Sequence, residues 1–172
     1  NPDTMPLVIY RKAPGVIFVG PADGSTQTLT LGATTHSYTF PKWGDRSAGD
    51  ATTVPDPAFI GKTIRDHVLF RGRYVMAAGQ SVVFSETDQI FNFFQDTSVA
   101  LTARDGFSVL AVSEVSSELN WLLPVDENLL VFSQYSQFRV SPADADVLTP
   151  TTAMILRLSN LQMNPYIRPK LA

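Results

Sequence analysis

At 172 residues the chain is long enough for one domain with a real core, or for part of a larger assembly. Only 17% of its residues are charged, against roughly 25% in ordinary soluble domains. That shortfall, with a net charge of −3, points to surface covered by neighbours and argues against a sequence-independent nucleic-acid binder, though not against a wall that DNA slides past. With no cysteine there is no disulfide framework, thiolate metal site or cysteine nucleophile, and no apolar run approaches the ~18 residues of a membrane span.

In chain order, Leu7 to Tyr10 and Val16 to Val19 predict a hairpin whose turn is supplied by Pro14-Gly15. Both runs are apolar on both faces, which predicts burial between layers. Thr26 to Leu31 alternates as a half-exposed strand, and Ser37 to Phe40 is a further short strand. Together residues 1–40 form an N-terminal hairpin-and-strand segment. Residues 41–57, rich in Pro, Gly, Asp, Thr and Ser, then read as an ordered loop or linker. Trp43 is its anchor against the following unit, and Arg46 is placed to pair with Asp50.

Residues 58–172 read as a β-meander platform, incomplete at its C-terminus. Val68 to Phe70, Tyr74 to Ala77 and Val82 to Phe84 are β-prone runs separated by Arg71-Gly72-Arg73 and Gly79-Gln80. Ser85 to Asp88 is a polar cluster leading into the aromatic knot Ile90 to Phe94, which has to be covered. Gln95 to Ala103 opens with a short helical turn, Phe107 to Val112 is a strand, and Ser113 to Leu119 is an exposed helix of two turns with Glu114 and Glu118 four apart.

A second meander follows through Trp121 to Leu123, Leu129 to Phe132 and Phe138 to Val140, then a turn at Leu148 to Thr151 and a strand at Met154 to Leu158. Pro165 and Pro169 keep the end extended. The two meanders lie roughly 55 residues apart, near the ~40 to 50 of a propeller blade. The fold predicted is therefore mainly β, antiparallel meanders with propeller-like blades in a partial or distorted β-propeller, and few short helices.

Candidates for chemistry are sparse. His36 and His67 lack metal-ligand spacing, and Asp66 beside His67 suggests a structural hydrogen bond. Ser81, Ser85, Ser133 and Ser141 lie outside any nucleophile elbow. The acid pairs Asp126 with Glu127, Glu86 with Asp88, and Asp144 with Asp146 all fall in turns, where carboxylates are ordinarily solvated or capping. Asp144 and Asp146 supply too few oxygens for a calcium ion. The basic cluster Lys62, Arg65, Arg71 and Arg73 could touch DNA, but ion pairs between strands or subunits fit alternation better. Catalytic, metal and cofactor sites are expected to be absent.

Several ordered motifs carry a resemblance. Pro57-Ala58-Phe59-Ile60-Gly61, Phe70-Arg71-Gly72-Arg73-Tyr74, Val83-Phe84-Ser85 and Phe91-Asn92-Phe93-Phe94 are followed by Pro124 to Phe138 and Leu148 to Ala153. This series resembles the tail tubular protein B family, the tail nozzle proteins of T7-like short-tailed bacteriophages. Ala58 replaces a frequent Ser and Gly72 a frequent Asn. Trp43, Arg46, Gly49 and Asp50 meet a further family pattern, and Phe132, Ser133, Phe138, Thr149 and Pro150 fall within the later motifs.

The resemblance implies an internal fragment of a longer, non-enzymatic virion protein that forms a homohexamer. That ring sits below a tail tubular protein A-like head-to-tail adaptor, carries tail fibres, and passes double-stranded DNA without sequence-specific binding. It implies location in the phage tail, in the host cytoplasm during assembly, and no membrane in the mature virion. The fragment alone is expected to be monomeric or weakly associated. The alternative from another class is a carbohydrate-binding or glycan-degrading β-propeller module, in which Trp43, Trp121 and Tyr135 would stack on sugar rings.

Overall fold

A computed structural model describes residues 7–143 and 147–171. The described residues form strands, turns and irregular chain, with no helix among them. They divide into two compact units, Asn1–Gly44 and Asp45–Ala172.

In the first unit, β1 (Leu7–Ala13) pairs with β2 (Val16–Pro21), and β3 (Thr26–Leu31) with β4 (Thr34–Thr39), each as a two-stranded antiparallel sheet. Val16, Phe18 and Phe40 form a small core that Val8, Ala13 and Tyr38 flank. Tyr10 stacks on Tyr38 at 4.1 Å between ring centroids. The expectation that the first hairpin is buried on both faces is overturned. Register puts Ile9 opposite Val19 and Arg11 opposite Ile17, and that row faces outward. Leu7 is 68% and Ile9 72% exposed. The reason is that a single hairpin, β3–β4, supplies apolar cover for only one side. β3 is exposed throughout rather than half-exposed, and its partner strand starts at Thr34, earlier than Ser37.

In the second unit, β5 (Ile64–Phe70), β6 (Arg73–Ala78), β7 (Ser81–Phe84) and β8 (Phe107–Leu110) form one four-stranded antiparallel sheet in sequence order. β9 (Leu119–Val125), β10 (Asn128–Ser133), β11 (Gln137–Pro142) and β12 (Ala153–Ser159) form another in the same way. The hairpin between β5 and β6 turns through Arg71 and Gly72 at φ of 50° and 72°. Positive φ at both central residues is the turn whose twist matches paired strands, and Gly adopts it without a Cβ clash.

One face of each sheet contributes to a single core. Phe70, Val75, Ala77, Val82 and Phe84 come from the first sheet, and Leu122, Leu129, Val131, Phe138 and Val140 from the second. Each Val, Leu or Phe among them, fully buried, contributes about 1.5–3 kcal/mol. β5 and β6 lie against β9, and β8 meets β12. At the bulge in β5, the Asp66 carboxylate accepts the Leu122 N–H of β9 at 2.9 Å, tying the leading strands of the two sheets together.

The expected helices are not formed. Residues 113–118 cross from one sheet to the next, with Ala111 N–H bonded to Gln80 O and Leu119 N–H to Gly79 O. That pull toward the β6–β7 turn, with three serines of low helix propensity, wins over the Glu spacing. Glu114 and Glu118 instead reach Arg157 and Arg65. Near Gln95 the local order is a Thr97–Ala100 turn closed by the threonine hydroxyl. β8 ends at Leu110 rather than Val112. Asp144 and Asp146 lie outside the described residues.

Candidate functional site

The two sheets of the second unit differ on the face turned away from the shared core. On the first sheet that face is covered along the central strands: Met76 and Val83, cross-strand partners, are 1% and 2% exposed. The cover comes from chain before β5 and from the long connection between β7 and β8. Val54, Phe93 and Phe94 line a cleft with Val83, and Phe93 meets Phe59 edge-on at 5.1 Å and Tyr74 at 6.5 Å. Burial, and the Asp66 carboxylate nearby, raise the Tyr74 phenol above its ordinary pKa.

The centre of this cover is Arg73, 1% exposed. Its Nη1 donates to the carbonyls of Ser85, Arg104 and Asp105 at 2.6, 3.0 and 2.8 Å, and Nη2 to that of Ala103 at 2.7 Å. Its guanidinium carbon lies 5.2 Å from the Phe107 ring centroid. Burial lowers its pKa, and Glu86 and Asp105 oppose that shift. A buried guanidinium is tolerated when its donors are satisfied and anions stand near.

Glu86 and Asp105, both buried, complete the network. Glu86 accepts from Asn92 at 2.7 Å and Arg104 at 2.8 Å, and Asp105 accepts the backbone N–H groups of Asp96 and Thr102. Asp105 carried no signal in the sequence beyond being an acid before a glycine. Asp88, proposed as a partner acid for Glu86, sits in the adjoining turn at φ 61°.

The stretch leading to β5 is held by its own polar groups. Arg46 donates from Nε to Val54 O at 2.7 Å, pairs with Asp56, and lies 5.3 Å from the Phe94 ring. The expected Arg46–Asp50 pair is replaced, because Asp50 Oδ1 already accepts Thr52 N–H, Thr53 N–H and the Thr53 hydroxyl. Those bonds lower the Asp50 pKa. Gly49 precedes it at φ 66°, where an added Cβ would stand 2.3 Å from Thr53 Oγ1.

Gly61 closes the turn after Phe59, whose carbonyl accepts Lys62 N–H. Phe91 is half-buried beside Asn92, whose Oδ1 accepts Phe94 N–H. Of the aromatic knot, Phe93 alone is buried. Trp43 lies next to the end of the first unit, its backbone N–H bonded to Ala22 O.

The basic cluster does not form one patch. Arg73 is interior, Arg65 binds Glu118, Arg71 stands 3.7 Å from Glu127, and the Lys62 stem lies over Gly79. His67 neighbours Tyr74 at 5.4 Å, and Asp66 is engaged by Leu122 and Arg168 in place of the expected histidine bond. Among the described residues no group of three or more His, Asp or Glu could hold a metal.

On the second sheet, Phe138 enters the same core as Phe70, while Ser133 is a buried turn clasp with Ser136. Thr149 caps its turn through Thr152, and Pro150 lines the cleft with Val54. The outward face is only partly covered. Leu130 pairs with Leu123 and Arg139, and Arg139 with Leu156. Arg139 Nε is buried with no hydrogen-bond partner among the described residues. The tail crosses the far end, with Trp121 Nε1 bonded to Pro165 O and Phe132 lining an apolar groove with Met163 and Ile167.

Two comparisons bear on this architecture. A family model described as bacteriophage nozzle protein matches residues 1–172. The tail tubular protein gp12 of Escherichia phage T7 is 32% identical over 97 residues, which is 56% of this chain and 12% of that protein.

Proposed function

We infer, from the premise that the chain belongs to the bacteriophage nozzle protein family, that it is a wall segment of the phage tail. The role is structural rather than catalytic, and the type is tail tubular protein B. In this reading the parent protein is a homohexameric ring in the virion, between a head-to-tail adaptor and the tail fibres, through which double-stranded DNA leaves the capsid. The two sheets of the second unit act as consecutive propeller-like blades. Their sequential strand order and the packing of leading strand on leading strand support that reading. The motif residues from Trp43 to Pro150 then act by shaping and covering those blades rather than by contacting a ligand.

The observation that carries the assembly reading is the bare apolar row of the first hairpin, Leu7, Ile9, Ile17 and Val19. Such a face is covered in a working structure, and a ring supplies neighbours. Replacing Ile9 and Ile17 with glutamate in the protein that carries this chain should leave folding within about 0.5 kcal/mol, because both positions are exposed. Ring formation, read by native mass spectrometry, should fall sharply. Rings at wild-type yield would overturn the reading.

A further inference from the structure

The second unit carries a cleft of about 550 Å³ between the approach to β9, the β10–β11 turn and the tail. Three aromatic side chains line it: Trp121, Tyr135 and Tyr166. Tyr135 is 36% and Tyr166 90% exposed, so large amphipathic rings are left facing solvent rather than packed away. Trp121 is held rigidly, its indole N–H committed to Pro165 O at 3.0 Å and Arg168 placed 5.6 Å from the ring. A ring fixed before a ligand arrives loses little freedom on binding.

The polar groups of the cleft are neutral in sum. Arg65 donates from Nε and Nη2 to Glu118 Oε2 at 3.1 and 2.6 Å, and both side chains remain about half exposed, at 49% and 54%. Both bonds run to Glu118 Oε2, so Glu118 Oε1 and Arg65 Nη1 take no part in the pair. Gln134 and Asn120 add planar amides, and Ser117 lines the same cleft with a buried Oγ that has no hydrogen-bond partner among the described residues.

A phosphate or nucleotide would require a cation free of its own carboxylate, and a lipid tail would require an apolar lining. Flat apolar patches bordered by uncharged or self-neutralised donors and acceptors instead match a pyranose, which has C–H faces and equatorial hydroxyls. We propose that this cleft binds a neutral pyranosyl oligosaccharide, with Trp121, Tyr135 and Tyr166 contacting ring faces and Glu118 and Arg65 bonding hydroxyls. It binds without cleaving: Glu118 is the one carboxylate among the lining residues, and two-carboxylate hydrolysis needs a second acid about 5 to 10 Å away.

The protein has two tryptophans, so Trp43→Phe leaves Trp121 as the reporter. Titration with maltotriose, mannotriose, cellotriose and lactose should change its emission saturably for at least one sugar. Tyr135→Ala and Tyr166→Ala should each weaken that binding about three- to tenfold, the value of an aromatic contact of about 0.5–1.5 kcal/mol. Saturation-transfer NMR on the unaltered chain repeats the measurement should Trp43→Phe fail to fold. No response to any of the four sugars, unchanged affinity in both tyrosine variants, release of reducing ends, or displacement of the sugar by a proline-rich decapeptide binding more tightly would each overturn the proposal.

Discussion

The two four-stranded sheets of the second unit share strand order, antiparallel pairing and a common core, yet they are finished differently. The first is buried on both sides along its central strands, β6 and β7, because the chain lays Val54, Phe59 and Phe93 over them and anchors that cover through Arg73, while Leu69 and Leu110 on its edge strands stay exposed. The second leaves Leu123, Leu130 and Leu156 around Arg139, with the tail covering one end. A meander alone therefore does not determine burial. Irregular connections decide which sheet faces are sealed and which remain for contact.

The strongest way to break this contrast is Arg73→Met. It should destabilise the second unit by about 3–5 kcal/mol, because four carbonyls lose their donor together and Glu86 and Asp105 lose a buried cation. Urea unfolding measures it. Loss below about 1 kcal/mol would mean that the cover is held by its aromatics alone.

A matched pair of methionines sharpens the comparison. Met76 and Met154 both point away from the shared core, but they are 1% and 44% exposed. Met76→Ala should cost about 2–4 kcal/mol, and Met154→Ala less than about 1 kcal/mol. Equal costs, by the same unfolding measurement, would show that the second sheet is as sealed as the first.

The smallest effect concerns the Asp50 clasp that holds the cover before β5. Hydrogen bonds depress its pKa in the folded chain, so the stabilisation is present above the unfolded value of about 3.9. It is lost as pH falls through the lower folded value. Asp50→Ala should therefore lower the urea midpoint at pH 7, and the gap from the parent chain should close on acidification below about pH 4. A gap that widens there would reverse the assigned direction.

Strand positions in both meanders were legible because alternation and Gly-bearing turns report on local backbone. Arg71-Gly72 is the clearest case, since its turn depends on neighbours one residue away. The first hairpin misled because apolar residues on two faces say that cover is needed, not that this chain supplies it. Arg73 read as part of a surface basic cluster, since charge in a sequence carries no depth. Its depth is set by carbonyls 12 to 32 residues downstream, which no local pattern encodes. The same applies to Asp66, whose partner Arg168 lies 102 positions away. The motif residues were visible as a group, but their division between core, turn clasp and sheet cover was not.

Arg73 grips only main-chain oxygens, and every amino acid carries one. The grip itself therefore places no demand on side-chain identity, and that demand falls on Glu86, Phe93 and Asp105, which are buried around it. Insertion or deletion within residues 85–105 shifts which oxygens meet the guanidinium, so this segment has to keep its length as well as its few buried side chains.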